Sequence, residues 1–280
     1  MIRFDLVTSH VIEFSGIAMS RKEFPKTDYF FNRLQNKDNV ALMALLKVRG
    51  TFEKSATSTP PPPYLLVANA HIHWDPQFAD IKLLQSAMLM EEVASFTQRH
   101  AHLLPSSGGK MSKSGSSGSS KRLGRLAAAA AAKRSASPPG SPTYFPTVIC
   151  GDFNSEPGSG VCDFMCDATT PPRHPDFAGY DYGKYTTNGF SHPFSPMKLL
   201  YQATGKNVMS FTNWTPDFKG IIDHAWISGR YLRYDAVLAG IDRAWAQTCI
   251  GFPNGHVPSD HVPILFQCRF IDEHLPVDAV

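Results

Sequence analysis

Four short polar clusters in the sequence contain the residue types that phosphoryl chemistry requires. They are His71 and His73 in NAHIHW, Asp152 and Asn154 in GDFNS, Asp223 in IIDH, and Asp260 and His261 in SDHVP. Carboxylate and amide oxygens are hard ligands that suit Mg²⁺. Histidine can stabilise charge on a phosphoryl group. Each cluster alone is also typical of turns and loop caps, so the prediction of a site depends on the four occurring together.

Other common kinds of catalytic site find no support in the motifs. The sequence has no Cys/His spacing typical of zinc, no Gly-rich phosphate-binding loop and no GxSxG nucleophile motif. The five cysteines show no CxxC pairs, which indicates free thiols in a reducing compartment. Cys162 and Cys166 lie four residues apart, and core packing on one helix face is favoured over metal binding.

Short apolar runs that end at these clusters predict the elements that position them. Buried strands are predicted at 40–48, 64–70, 147–151, 221–227 and 262–270. Asp75 and Pro76 form a helix cap and first-turn pair. The apolar residues that follow at helical spacing are Phe78, Ile81, Leu84, Met88, Val93 and Phe96. Strands mixed with helices indicate an α/β class, and strand ends that meet at one edge of a sheet would assemble the site.

The amino-acid composition indicates that one segment interrupts the folded region. Residues 105–142 are rich in Ser, Gly, Ala and Pro and contain seven Lys and Arg residues without an acid. Such a segment cannot bury enough apolar surface to offset its ordering entropy, so a disordered basic insertion is predicted. It could contact RNA weakly, although a solvated loop is the favoured interpretation. No apolar run is long enough for a membrane-spanning helix, and no membrane partner is expected.

The motifs GDFN and SDH, with an aspartate between them, resemble those of the endonuclease/exonuclease/phosphatase superfamily, whose fold is that of deoxyribonuclease I. Longer stretches resemble poly(A) deadenylases of the carbon catabolite repressor type: Asn32-Arg33, NKDNV at 36–40, 68–76 and NWTPDFKGIID at 213–223. The resemblance covers nearly the whole chain except 105–142. It implies a four-layer α/β sandwich, in which two packed mixed β-sheets are flanked by helices.

The resemblance also implies an activity and a role for each residue. The activity is that of a poly(A)-specific 3′-5′ exoribonuclease, which releases 5′-AMP by hydrolysis with Mg²⁺, with two ions in the complete domain. Asp152 would orient or deprotonate water, His261 would stabilise the pentacovalent phosphate, and Asp223 would hold a histidine in place. His71 and Asn154 would contact phosphate. The implied metal ligands are Asp152, Asn154 and Asp260.

Adenine recognition would fall to Pro76, Asn213 and Phe218. A phenyl ring can stack on a base, which contributes about 1–3 kcal/mol, and an amide can hydrogen-bond to an unpaired base edge. Without the resemblance, core packing of Phe218 would be the favoured interpretation. His73 and Trp74 are expected to be structural rather than catalytic. The segment Asn36–Asn39 is expected either to fix a turn or to lie near the site.

The sequence departs from the family pattern at its start. The superfamily carries an asparagine and a metal-binding glutamate on earlier strands, and the match here begins after both, at 1–14. Glu13 and Glu23 are poor substitutes by position. The chain is therefore expected to be a partial catalytic domain spanning 1–280, incomplete at the N-terminus, with exposed sheet edges and apolar surface. Truncation of an active enzyme is favoured over a short form with little catalysis.

Other functions remain open at this stage. One is a phosphatase of inositol lipids or a sphingomyelinase on the same fold, and another is an inactive RNA-binding or scaffolding module, which the missing glutamate favours. The resemblance implies poly(A) RNA and a Not-type deadenylase complex as partners, although the leucine-rich repeats used for docking are absent from this sequence. It also implies a nuclear and cytoplasmic location.

Overall fold

The computed structural model describes residues 3–49, 63–104, 144–194, 197–203 and 209–271. The insertion predicted at 105–142 lies outside these residues. The strands are β1 (Arg3–Glu13), β2 (Val40–Arg49), β3 (Tyr64–His71), β4 (Thr147–Asp152), β5 (Thr169–Thr170), β6 (Phe190–Ser191), β7 (Met197–Leu199), β8 (Asn213–Trp214), β9 (Lys219–Gly220), β10 (Asp223–Ser228), β11 (Leu232–Val237) and β12 (Phe266–Phe270).

The helices include one long element and several short ones. The α-helices are α1 (Phe14–Ser20), α2 (Ala79–Arg99), α3 (Gly160–Asp167), α4 (Lys184–Thr187), α5 (Leu200–Ala203) and α6 (Arg243–Ala246). A π-helical turn spans Phe30–Gln35, and 3-10 turns span Pro76–Phe78, Ala101–Leu103 and Pro175–Phe177.

A six-stranded mixed sheet forms the centre of the molecule, in the order β1-β2-β3-β4-β10-β7. β3 and β4 are parallel, and α2 lies between them in the chain. The other neighbours in this sheet are antiparallel. A parallel pair needs a crossover connection, so α2 is the element that brings the end of β4 beside the end of β3.

The cap that the sequence placed at Asp75 starts a short 3-10 turn, and helix α2 follows that turn at Ala79. The Asp75 carboxylate accepts a hydrogen bond from the Gln77 N–H at 2.8 Å, and Pro76 opens the turn. The predicted apolar positions Ile81, Leu84, Met88, Val93 and Phe96 are all buried. Polar positions of α2 are buried as well, among them Lys82 and Gln85. The helix is therefore enclosed on more sides than its apolar spacing indicated.

The two faces of the sheet pack against different layers, as the pleat of β3 shows. Leu66 and Ala68 face the large core that includes α2. Leu65 and Val67 face a second cluster, which includes residues of β11 and β12. Side chains alternate between faces along a strand, so one run of apolar residues supplies both layers. A mixed sheet between helices and a second sheet agrees with the α/β sandwich; the second sheet is β11–β12 in the described residues.

Two predicted strand boundaries are wrong. The strand expected at 262–270 begins at Phe266, and the strand expected at 221–227 begins at Asp223. His261 instead forms an isolated bridge with Asn213, and the Val262 N–H donates to the Thr212 carbonyl at 2.8 Å. This part of the chain pairs with Asn213 of β8, and only the residues from Phe266 onward pair with β11.

The first two strands expose apolar side chains, as expected from the sequence. Leu6 and Val11 of β1 are 64% and 55% exposed, and Val40 and Leu42 of β2 are about half exposed. In the described part of the chain, β1 is an edge strand of the central sheet. All five cysteines are free, as predicted, and Cys162 is buried.

Candidate active site

Three adjacent strands bring a histidine and two aspartates into one row. β3 ends at His71, β4 ends at Asp152 and β10 begins at Asp223. In the pairing registers, Asp152 lies directly opposite His71 on one side and Asp223 on the other. β10 is antiparallel to β4, so its first residue lies at the same sheet edge as the last residue of β4. The predicted assembly at strand ends is therefore what the structure contains.

A glycine allows this close approach. Gly151 has a φ of +139°, and a Cβ atom at this position would lie 1.9 Å from the carbonyl oxygen of Ala70. A side chain at Gly151 would push β4 away from β3. The glycine of the GDFN motif therefore keeps Asp152 beside the end of β3.

His261 reaches the row from a loop. Its Nδ1 atom lies 2.8 Å from the Asp223 Oδ2. Its Nε2 atom lies 3.9 Å from the Asp152 Oδ2 and also 3.9 Å from the Asp260 Oδ2. The His71 Nε2 lies 3.5 Å from the Asp152 Oδ2. One ligand atom from each of Asp152, Asp223 and His261 lies within 4.8 Å of the others. These three side chains form the acidic cluster.

Asn154 is held beside the cluster in an unusual backbone conformation. Its φ is +47°, in a region that asparagine visits more readily than most residues. Its N–H donates to the Asp152 Oδ1 at 2.8 Å, and its side-chain Nδ2 donates to the Ile72 carbonyl at 2.9 Å. Its own carbonyl accepts a hydrogen bond from the Lys82 Nζ at 2.7 Å. Three hydrogen bonds therefore fix this residue.

Sequence reasoning missed Lys82. The residue is 7% exposed on α2, and its ammonium forms no ion pair with a carboxylate of the described residues. Burial lowers the pKa of Lys82, while the charges of Asp75 and Asp152 oppose that shift. A buried charge is costly unless it is compensated. The signal was available, because this lysine stands between Ile81 and Leu83 in an apolar helix.

The asparagine segment before β2 also contacts the site. The Asn39 side-chain Nδ2 donates to the His71 carbonyl at 3.0 Å, and its Oδ1 accepts from the Gln85 Nε2 at 3.2 Å. Asn39 therefore ties the end of β3 to α2. Of the two alternatives given for Asn36–Asn39, a position near the site is the correct one for Asn39.

A cavity of about 780 Å³ opens next to the cluster. Every predicted site residue except Asp223 lines it: His71, Pro76, Asp152, Asn154, Asn213, Phe218, Asp260 and His261. Asp223 lines a neighbouring cavity of about 670 Å³, together with His71, Asp152 and His261. The structure thus brings together all the residues that the sequence selected for catalysis, substrate binding and metal binding.

The apolar wall of this cavity is partly open to solvent. Phe218 is 37% exposed, so core packing does not account for it. Asn213 is buried, and its Nδ2 lies 3.3 Å from the Asp260 Oδ2. His73 is buried, as expected of a structural residue, whereas Trp74 is 68% exposed and lines the cavity. The expectation that Trp74 is structural rather than catalytic stays a prediction.

Comparison with known proteins identifies the scaffold. Residues 52–261 match the family described as Endonuclease/Exonuclease/phosphatase. The chain belongs to this family. It is 36% identical over 276 residues to a CCR4-Not complex 3′-5′-exoribonuclease subunit Ccr4 of Schizosaccharomyces pombe, and 35% identical over 266 residues to that of Mycosarcoma maydis. These alignments cover 96% and 94% of this chain but only 34% of each relative.

A solved structure supports the fold assignment. The crystal structure of ANGEL2, described as a 2′,3′-cyclic phosphatase, superposes with a TM-score of 0.60 at 21% identity. The alignment covers 96% of this chain and 68% of that one. The chain thus has the scaffold of the Endonuclease/Exonuclease/phosphatase family, while it spans about a third of the length of the Ccr4 relatives. No helix in the described residues combines the length and the apolar character needed to cross a bilayer.

The donor chemistry of the acidic cluster fits a divalent cation. Asp152 and Asp223 offer carboxylate oxygens, and Asn154 and Asp260, which line the same cavity as Asp152, offer further oxygen atoms. Burial raises the pKa of Asp152, an effect that the N–H of Asn154 opposes and the charge of Asp223 increases. A nearby positive charge would relieve this unfavourable placement of two carboxylates. The residues present can therefore hold a metal ion.

Among the described residues, no glutamate joins this cluster. Glu13 ends β1 at the same sheet edge, but β1 is the third strand away from β4. Neighbouring strands lie about 4.8 Å apart, which separates the two strands by roughly 14 Å. The Glu23 carboxylate instead lies 3.5 Å from the Lys184 Nζ. Both glutamates are as poorly placed as the sequence indicated.

Proposed function

We propose that this chain carries the catalytic site of a poly(A)-specific 3′-5′ exoribonuclease, an mRNA deadenylase that releases 5′-AMP. The observation that carries the proposal is one cavity that is lined both by two members of the acidic cluster, Asp152 and His261, and by the aromatic side chain of Phe218. Catalysis at phosphate needs the first, and recognition of a nucleobase needs the second. The similarity to Ccr4 exoribonucleases supports the same reading.

In this proposal each side chain has a defined task. The Asp152 carboxylate orients water and accepts its proton. His261 donates a hydrogen bond from Nε2 to the phosphate oxygens as negative charge develops on them. Partial burial opposes protonation of His261, but the Asp223 hydrogen bond and the charges of Asp223, Asp152 and Asp260 outweigh it and raise the pKa of His261. The Asp223 carboxylate thus stabilises the positively charged donor.

Mg²⁺ is the proposed cofactor. Asp152 would hold it, with Asn154 and Asp260 as further ligands, and when bound it would neutralise phosphate charge and lower the pKa of a bound water. The Asn154 Nδ2 already donates to the Ile72 carbonyl, so its Oδ1 is the atom left for a ligand. Because the cluster holds two carboxylates and no glutamate in the described residues, we expect turnover to be slow.

Base recognition is assigned to Pro76, Asn213 and Phe218. Phe218 and Pro76 line the same cavity. A terminal adenine stacked on this wall would place its phosphate toward His71 and Asn154. A wall of this kind suits a planar base better than an inositol ring, which favours the nuclease over a phosphatase of inositol lipids.

The test compares substrates on the full chain. Oligo(A), oligo(U) and an inositol phosphate are incubated with Mg²⁺, and 5′-AMP and inorganic phosphate are measured. We expect slow AMP release from oligo(A) only, its loss with EDTA, and its loss in Asp152→Asn. Asp217→Asn, at an exposed position in the same cavity, serves as the matched control. Phosphate release from the inositol substrate, or turnover by Asp152→Asn, would overturn the assignment.

A second candidate is a module that binds RNA without cleaving it. The absence of a glutamate from the cluster in the described residues favours it. Tight binding of oligo(A) without AMP release would support this candidate and contradict the first.

We further propose a role within a Not-type deadenylase complex, in the nucleus and the cytoplasm. The basis for the complex is that the Ccr4 relatives are named as its subunits; the location stays a prediction. Co-purification of the tagged full chain with Not-complex subunits would test the association, and recovery without any of them would contradict it.

A further inference from the structure

Trp74 is a large aromatic side chain that the structure leaves in solvent at the mouth of the cavity. It is 68% exposed, the most exposed aromatic side chain among the described residues. A single exposed apolar residue is ordinary on a protein surface. What distinguishes Trp74 is that it lines the same cavity as Pro76 and Phe218, next to the acidic cluster.

The backbone on both sides of this indole is anchored. The His73 N–H donates to the Gln85 Oε1 at 2.9 Å, and the buried His73 ring packs edge-on against Phe78 with 5.0 Å between centroids. On the other side, the Asp75 carboxylate accepts from the Gln77 N–H at 2.8 Å. A residue held at both neighbours and exposed between them is a preorganised contact surface, because little entropy is lost when a ligand binds.

Phe218 comes from a separate element. It follows β8 in the turn before β9, where its N–H donates to the Thr215 Oγ1 at 2.9 Å. Trp74 stands between β3 and α2. Two aromatic side chains on independent loops give the cavity two ring surfaces, one more than a single terminal base requires.

One cation lies close to the segment that carries Trp74, although Asp75 next to it is acidic. The Lys37 Nζ lies 4.3 Å from the centroid of the Phe78 ring, and that ring packs against His73. A cation is therefore held beside the segment that carries the indole. Together, a stacking face and a nearby ammonium group are the features that bind single-stranded RNA.

We propose that Trp74 stacks on a second base of the RNA, that of the nucleotide preceding the one held by Phe218 and Pro76. This inference rests on the proposed function, since it assigns a further substrate subsite to the same cavity. It predicts that substrates of two or more nucleotides gain affinity that a mononucleotide does not. Every base has a ring face, so Trp74 would strengthen binding with little dependence on base identity.

Tryptophan fluorescence tests the proposal directly. The chain has four tryptophans; Trp214 and Trp226 are buried, and Trp245 is 38% exposed. Oligo(A) is titrated into the full chain with EDTA, so that no hydrolysis occurs. We expect quenching in wild type and in the control Trp245→Phe, and its loss in Trp74→Phe. Trp74→Ala should weaken oligo(A) binding roughly tenfold and leave AMP binding unchanged.

The contrary outcomes are distinct. Undiminished quenching in Trp74→Phe, or wild-type affinity of Trp74→Ala for oligo(A), overturns the subsite. If those variants also release AMP from oligo(A) at the wild-type rate with Mg²⁺, the exonuclease function stands without it. If wild type neither binds nor cleaves oligo(A), the proposed function fails and the subsite fails with it. Thermal unfolding of each variant checks that the fold is intact.

Discussion

The Nδ1 atom of His261 lies 2.8 Å from the Oδ2 atom of Asp223, although the two residues are 38 positions apart. The carboxylate accepts a hydrogen bond from Nδ1–H, and the Nε2 atom lies 3.9 Å from the Asp152 Oδ2. A carboxylate at Nδ1 orients the imidazole and stabilises the form protonated on both nitrogens, in which Nε2–H is a donor. In the proposed reaction, Asp223 would act through His261.

Asp223→Asn should impair catalysis more than binding. The amide is neutral, so it no longer stabilises the imidazole that carries a proton on both nitrogens, and the pKa of His261 should fall. We expect the rate of AMP release from oligo(A) to fall by about a hundredfold or more, with a small change in KM, measured in single-turnover experiments on the full chain. Asp217→Asn should stay close to wild type. An equal effect of both substitutions would contradict the orienting role.

Lys82→Met should separate stability from activity. The ammonium is buried without an ion pair to a carboxylate of the described residues, and replacing such a charge with an apolar group is often neutral or stabilising. We expect an unchanged or higher midpoint in urea. AMP release should fall about tenfold or more, because the Asn154 carbonyl loses its donor and that residue is no longer held in place.

Lys82→Arg supplies the conservative comparison, and Lys22→Met supplies an exposed control. The arginine should recover part of the lost rate because it retains a donor and a positive charge. If the rate of Lys82→Met equalled that of Lys22→Met, the positioning of Asn154 by Lys82 would be refuted.

Arg33→Met should destabilise the fold sharply. The Arg33 guanidinium donates to both carboxylate oxygens of Asp80, at 2.9 and 2.8 Å, and Asp80 is 1% exposed. Its removal leaves a buried carboxylate whose remaining side-chain partner is the Tyr182 hydroxyl. Breaking a buried pair on one side costs about 3–5 kcal/mol, which urea unfolding would measure.

The double substitution Arg33→Met with Asp80→Leu is the internal control. With both charges removed, most of the lost free energy of unfolding should return. A double variant as unstable as the sum of the two single variants would indicate that the pair contributes through packing alone.

His192→Gln should make the free energy of unfolding depend less on pH below neutrality. The His192 Nε2 lies 3.1 Å from the Phe164 carbonyl, and the Phe194 N–H donates to its Nδ1 at 3.3 Å. Burial lowers the pKa of His192 from 6.5 to about 4. Below pH 6.5, His192 binds a proton in the unfolded chain but not in the folded chain. The free energy of unfolding therefore falls as the pH drops toward 4.

The slope for one such group is about 1.4 kcal/mol per pH unit. Between pH 7.5 and pH 5, wild type should therefore lose about 2 kcal/mol more than His192→Gln, as measured by urea unfolding at each pH. Parallel profiles for the two proteins would show that folding does not lower the pKa of His192.

The sequence by itself determined the local elements and which residues to examine. Asp75 and Pro76 begin the helical region because a carboxylate close to free N–H groups and a fixed φ act within a few residues. Buried strands were recognisable from apolar runs, and the strand ends carried His71, Asp152 and Asp223. These features depend on short-range sterics and on solvation, which neighbouring residues specify.

Only the tertiary structure decided how these pieces meet. Strand order and register set His71 and Asp223 on either side of Asp152, and pairing with β8 instead of β11 carried His261 to Asp223. The contrast between buried His73 and exposed Trp74, which are adjacent in sequence, was equally beyond local pattern. The donation from Lys82 to Asn154 spans 72 positions. Such contacts depend on packing between distant segments, because burial and partners are fixed only when the layers come together.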